Sequence, residues 1–65
     1  MSDEMIERLQ ESVELSGVML DLAERGVGGC QDDGCLVVYG IIRDCAYKIR
    51  ASAESELKEH RSQGA

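Results

Sequence analysis

What most restricts the fold of this chain is its punctuation. It has no proline, and four of its seven glycines, Gly26, Gly28, Gly29 and Gly34, fall in one central cluster. Proline and glycine are the residues that cut a chain into short elements, so a sequence punctuated once reads as two long segments joined by one loop. Each segment is far longer than the roughly five or six residues of a usual strand. The expected class is all-α. One local competitor exists over Cys35–Ile42, where Leu36-Val37-Val38-Tyr39 is β-prone and Gly40 costs about 1 kcal/mol inside a helix. A lone strand needs a partner, and the sequence holds no second candidate, so this reading works only by pairing with another molecule.

Apolar spacing supports the helices. Met5, Ile6, Leu9, Val13, Ser16, Leu20 and Ala23 recur at helical intervals, with Asp3 and Glu4 at the start where the helix dipole favours negative charge. The pattern predicts a first helix over 2–25, capped by Ser2 and closed by Gly26 in the left-handed conformation. The loop is expected over 26–33, with Asp32 or Asp33 as the cap of a second helix over 33–60. That helix carries Cys35, Val38, Tyr39, Ile42, Cys45, Ala46, Ile49, Ala53, Leu57 and His60 on its central face. Residues 62–65 are expected to fray. A short connection makes such helices antiparallel neighbours, so the chain is predicted to form one helical hairpin.

A hairpin has one seam, and this sequence has more apolar residues than one seam can cover. Leu15, Val18 and Leu22 on the first helix and Leu36, Val37 and Ile41 on the second lie outside the two facing stripes. They are the predicted oligomer interface, with two hairpins pairing into a homodimeric four-helix bundle and a tetramer as the larger alternative. Chains of this length rarely bury enough surface alone, which points the same way. In hairpin layout and chain length the expected object resembles the Rop-like plasmid copy-number regulators, homodimers of helical hairpins. That resemblance implies an RNA-binding modulator as one function, and it assigns no individual residue here.

The candidate partner face is Arg43, Tyr47 and Arg50. Spacings of four and three set them on one flank of the second helix, where an Arg-aromatic-Arg stripe can stack on unpaired bases, grip phosphates or rim a protein interface. A net charge of −6, from 13 acidic and 7 basic residues, disfavours nucleic acid and favours an interface rim or a solvated face ion-paired to the acids of the first helix. Cys30 and Cys35 are the candidate redox or metal residues: a disulfide between them is sterically conceivable, and two loops meeting could assemble four thiolates around zinc. With three cysteines and an acidic start where an export signal would be basic, reduced thiols in a cytoplasmic protein are the default.

Chemistry is expected to be absent. The glycine cluster lacks phosphate-loop spacing and a following lysine, while Asp32 and Asp33 would repel an anion. One histidine near a helix end, with no nucleophile–base pair and no paired carboxylates in an apolar pocket, supplies no catalytic set. No cofactor, no bound metal and no membrane association are expected. The leading function is a non-enzymatic, homo-oligomeric interaction or regulatory module. The alternatives are the RNA-binding modulator and a thiol sensor or metal-bridged dimer through the loop cysteines.

Overall fold

The computed structural model describes residues 3–63. Two helices, α1 (Asp3–Gly29) and α2 (Asp33–Gln63), pack against each other as an antiparallel hairpin. The Cys35–Ile42 stretch is helical, so the strand reading is set aside. The stretch is helical because Cys35, Tyr39 and Ile42, at helical spacing, pack toward α1, and this tertiary contact outweighs the β propensity of Val37 and Val38. The expected Ser2 cap lies outside the described residues.

Both helices outrun their sequence-derived ends. Gly26 does not terminate α1: the helix continues a further turn to Gly29, and no described residue has positive φ. Gly26 serves spacing instead. A Cβ built there would collide with the ring of Tyr39, so the missing side chain lets the aromatic ring of α2 lie directly against the α1 backbone. This contact also fixes the register, with residue 26 opposite residue 39. The loop shrinks accordingly to Cys30, Gln31 and Asp32. At the other end α2 runs to Gln63, so the predicted tail at 62 and 63 is helical; the remainder of that expectation lies outside the described residues.

Asp32 is the cap. Its carboxylate Oδ1 accepts the backbone N–H of Cys35 at 2.7 Å, and its carbonyl accepts that of Leu36 at 3.3 Å, the first bond of α2. Asp33 follows in the first turn, where negative charge faces the helix dipole favourably. Across the loop, the N–H of Cys30 donates to the carbonyl of Val27 at 3.2 Å, tightening the last turn of α1.

The seam is built from small side chains. Ser16, Ala23, Ala46, Ala53 and Leu57 are buried, and Ser16 and Ala46 are fully enclosed. Leu9, Ser16 and Ala23 recur every seven residues on α1, as do Tyr39, Ala46, Ala53 and His60 on α2, the repeat of two helices in sustained contact. Ser16 satisfies its hydroxyl locally by donating to the carbonyl of Val13 at 2.6 Å, so a polar residue sits in the seam without an unpaired group. Ile6, Leu9, Val13, Leu20, Cys35, Tyr39, Ile42 and Ile49 are half-buried around it. Gly17 adjoins the seam in sequence but faces open space, so it takes no part in the close helix approach.

Three residues assigned to the core from periodicity do not reach it. Met5, Val38 and Cys45 are exposed. For Val38 and Cys45 the reason is rotational: they form their own heptad step, displaced from the seam positions Tyr39 and Ala46 by about 100°.

Candidate functional site

The two flanks of the hairpin have different chemistry. On one, an open groove of about 600 Å³ is lined by Leu20, Glu24 and Val27 from α1 and by Leu36, Tyr39, Gly40, Arg43 and Tyr47 from α2. Further from the loop, a shallower depression of about 410 Å³ is bounded by Gln10, Val13 and Glu14 of α1 and Glu54, Leu57 and Arg61 of α2. The α2 contribution to this flank follows two heptad lines, Leu36-Arg43-Arg50-Leu57 and Gly40-Tyr47-Glu54-Arg61, so the depressions are parts of one long face.

Arg43, Tyr47 and Arg50 lie together on that face. Arg50 stacks its guanidinium over the Tyr47 ring, 5.4 Å from the centroid, and holds Glu54 at 4.0 Å. Among the described residues Arg43 has no ion pair. The flank therefore offers an unpaired cation beside a half-exposed aromatic ring, with Gly40 leaving open backbone between them. A groove of this shape can take a side chain or a short helical segment carrying a carboxylate. Glu24, across the groove, opposes a strongly anionic ligand.

The opposite flank is apolar. Leu22 lies two residues, and hence about 200°, from the groove residue Glu24, and Leu15 shares its heptad line. Val38 and Cys45 stand in the same relation to Gly40 and Tyr47. Around these lines gather Val18, Val37 and Ile41, and Val18, Val37 and Ile41 are 62%, 60% and 57% exposed. The flank positions Leu15, Val18, Met19, Leu22, Val38, Ile41, Ile42 and Cys45 carry no charge, and Asp21 and Asp44, three positions after Val18 and Ile41, border them. Of the six interface residues expected from the sequence, five gather on this side or the back of the hairpin. Leu36 does not: it lines the groove with Arg43 and Tyr47. Val38 and Cys45, assigned from the sequence to the central face of the second helix, lie on this flank instead, because the run from Cys35 to Ile42 is apolar nearly throughout and shows no contrast between faces.

At the loop, Cys30 and Cys35 form a disulfide, with Cα atoms 5.7 Å apart. The default of reduced loop thiols gives way here, since a three-residue loop sets Cys30 beside the first turn of α2 within ordinary bridging distance. Cys45 is the free thiol among the described residues. No three His, Cys, Asp or Glu side chains converge to hold a metal among the described residues. His60, assigned to the central face of α2, is largely buried there: Nε2 lies 3.5 Å from Glu56 Oε2, and Nδ1 is buried with no partner among the described residues. No helix of the described residues is long and apolar enough to cross a membrane.

Compared with protein-family models, with curated proteins and with solved structures, the chain has no significant match in any of the three. The likeness to Rop-like regulators thus rests on hairpin layout and length.

Proposed function

We propose that this chain is a non-enzymatic interaction module that works as a homo-oligomer, a pair of hairpins in a four-helix bundle being the simplest form. The observation that supports the reading is surface area. The chain exposes 4870 Å² for its 7.1 kDa, where the scaling of folded monomers gives about 4,100 Å². It is also elongated, measuring 50 × 14 × 11 Å with a radius of gyration of 14.9 Å, against about 11 Å for a compact chain of this length. A seam of alanine and serine gives close helix approach but little apolar burial, so stability has to come from a further surface.

In this reading the Arg43-Tyr47-Arg50 flank stays open and receives an acidic protein segment, the unpaired Arg43 supplying the charge-assisted hydrogen bonds. The experiment is a binding titration of the purified oligomer against acidic helical peptides and, in parallel, a mixed RNA pool at low salt. Peptide binding that weakens about tenfold in Arg43→Ala, a loss on the order of 1.4 kcal/mol, supports the protein reading. Retention of RNA instead, lost in the same variant, supports the RNA-binding modulator.

The Cys30–Cys35 bond favours a second reading, a redox-responsive loop. A cellular dithiol would supply two electrons and two protons, become a disulfide itself, and leave Cys30 and Cys35 as separate thiols. Binding or assembly that changes on such reduction, and is unaffected in a Cys30→Ser, Cys35→Ser double variant, supports it.

A further inference from the structure

The apolar flank faces the same question that the whole chain poses, namely what covers it. Three observations answer together. First, the elongated chain as a whole exposes roughly 800 Å² more than a compact monomer of this mass, surface enough for a standard protein interface of about 800 Å² per partner. Second, the flank positions Leu15, Val18, Leu22, Val38, Ile41 and Cys45 are apolar, while Asp21, Asp44 and Lys48, three positions after Val18, Ile41 and Cys45, stand at its rim. Depletion of charge is the mark of an interface core. Third, the hairpin is thin, 14 by 11 Å in cross-section by its Cα positions and 50 Å long, so a second hairpin laid alongside turns a plate into a bundle of ordinary proportions.

From these we infer that a second copy of this chain covers the apolar flank, with Cys45 inside the seam and the Arg43 groove facing outward. The inference rests on the oligomeric reading above and adds the face it uses. A covering partner must offer a similar area of uncharged helical surface with the same seven-residue step. The chain itself carries such a surface, and a two-fold rotation sets it against its own copy. The net charge of −6 per chain does not prevent this, because Asp21 and Asp44 border the flank without interrupting it and exposed charges are screened over about 8 Å at physiological salt.

Cys45 makes the test direct. With Cys30 and Cys35 bonded, iodoacetamide in the absence of reductant modifies Cys45, and mass spectrometry of the digested protein locates the label. Alkylation is followed across a dilution series whose oligomeric mass is measured in parallel by sedimentation. The expected result is an alkylation rate at least about tenfold lower for dimer than for monomer, tracking the measured dimer fraction. Val18→Glu and Ile41→Glu change positions more than half exposed in the single hairpin, so they should retain helicity, abolish the dimer and restore fast alkylation. Leu36→Glu, on the groove flank, should leave the dimer intact. A dimer in which Cys45 reacts at the monomer rate, or which survives Ile41→Glu and is lost in Leu36→Glu, overturns the face while leaving the oligomer standing. A folded monomer at every concentration, with Cys45 fully reactive, overturns both and assigns the flank to a different protein. If a glutamate variant loses its helicity, wild-type alkylation decides alone.

Discussion

Gly26 and Tyr39 show how one absent side chain can set the register of a hairpin. Alanine at residue 26 gains about 1 kcal/mol of helix propensity, yet its Cβ would sit within the Tyr39 ring, and overpacking of this kind costs about 1–3 kcal/mol. Gly26→Ala should therefore lower the midpoint of thermal unfolding, and Tyr39→Ala in the same chain should convert that substitution from harmful to helpful. Gly17→Ala provides the contrast: with open space around it, the same change should stabilise by about 0.5–1 kcal/mol, read as an increase of a few degrees in circular-dichroism melts. Asp32→Ala should cost about 1 kcal/mol through loss of the bond to the Cys35 N–H, whereas Asp32→Asn retains a capping oxygen and should cost little. From sequence the small residues of α1 were ambiguous. Gly26 as helix terminator and Gly26 as landing site for an aromatic ring look identical until the partner helix is in place. A carboxylate cap at Asp32 or Asp33 was legible because a carboxylate two or three residues before an apolar run has few other local uses, and the bond to the Cys35 N–H selects Asp32.

At the scale of the elements, seven-residue spacing made the seam readable. Leu9, Ser16 and Ala23 were recoverable because their helical spacing continues through Val13 and Leu20, while the other apolar residues, Leu15, Val18 and Leu22, form a separate line. In α2 the same reasoning misassigned Val38 and Cys45, since apolar residues surround the helix from Cys35 to Ile42 and periodicity gives no contrast there. An all-round apolar helix segment is itself information: one neighbour cannot satisfy it. The joint between the elements is reinforced by the Cys30–Cys35 bond, which closes a loop short enough that its entropic contribution is about 2 kcal/mol. Reduction, or the Cys30→Ser, Cys35→Ser double change, should lower the unfolding midpoint by about 10 °C without abolishing the helical signal. An unchanged midpoint would mean that the three-residue turn and the Asp32 cap hold the joint unaided. Surface ion pairs contribute far less. Arg25 with Asp21 at 3.0 Å and Arg8 between Glu4 and Glu11 are exposed, within-helix pairs worth a few tenths of a kcal/mol each.

For the whole molecule, the decisive quantity is the imbalance between a seam of small residues and a flank of large ones. Ala23, Ala46, Ala53 and Ser16 let the two backbones approach closely, which leaves Leu15, Val18, Leu22, Val37, Val38 and Ile41 turned outward. The sequence count of surplus apolar residues anticipated this imbalance, and the structure sharpened it by separating Leu36 and the Arg43-Tyr47-Arg50 set from the apolar flank. What could not be read from residue types was the direction of each face, because that depends on the rotation of α2 about its axis once Tyr39 seats on Gly26. The account predicts that assembly and partner binding are separable: Arg43→Ala should impair partner binding and leave oligomeric mass unchanged, whereas Ile41→Glu should do the reverse to assembly. Sedimentation equilibrium of the untagged chain, from sub-micromolar to about 100 μM in physiological salt, tests the central claim most directly. The account predicts a mass at least twice 7.1 kDa at the upper concentrations, with helicity falling as the oligomer dissociates. A fully helical, cooperatively melting species of 7.1 kDa at every concentration would contradict it.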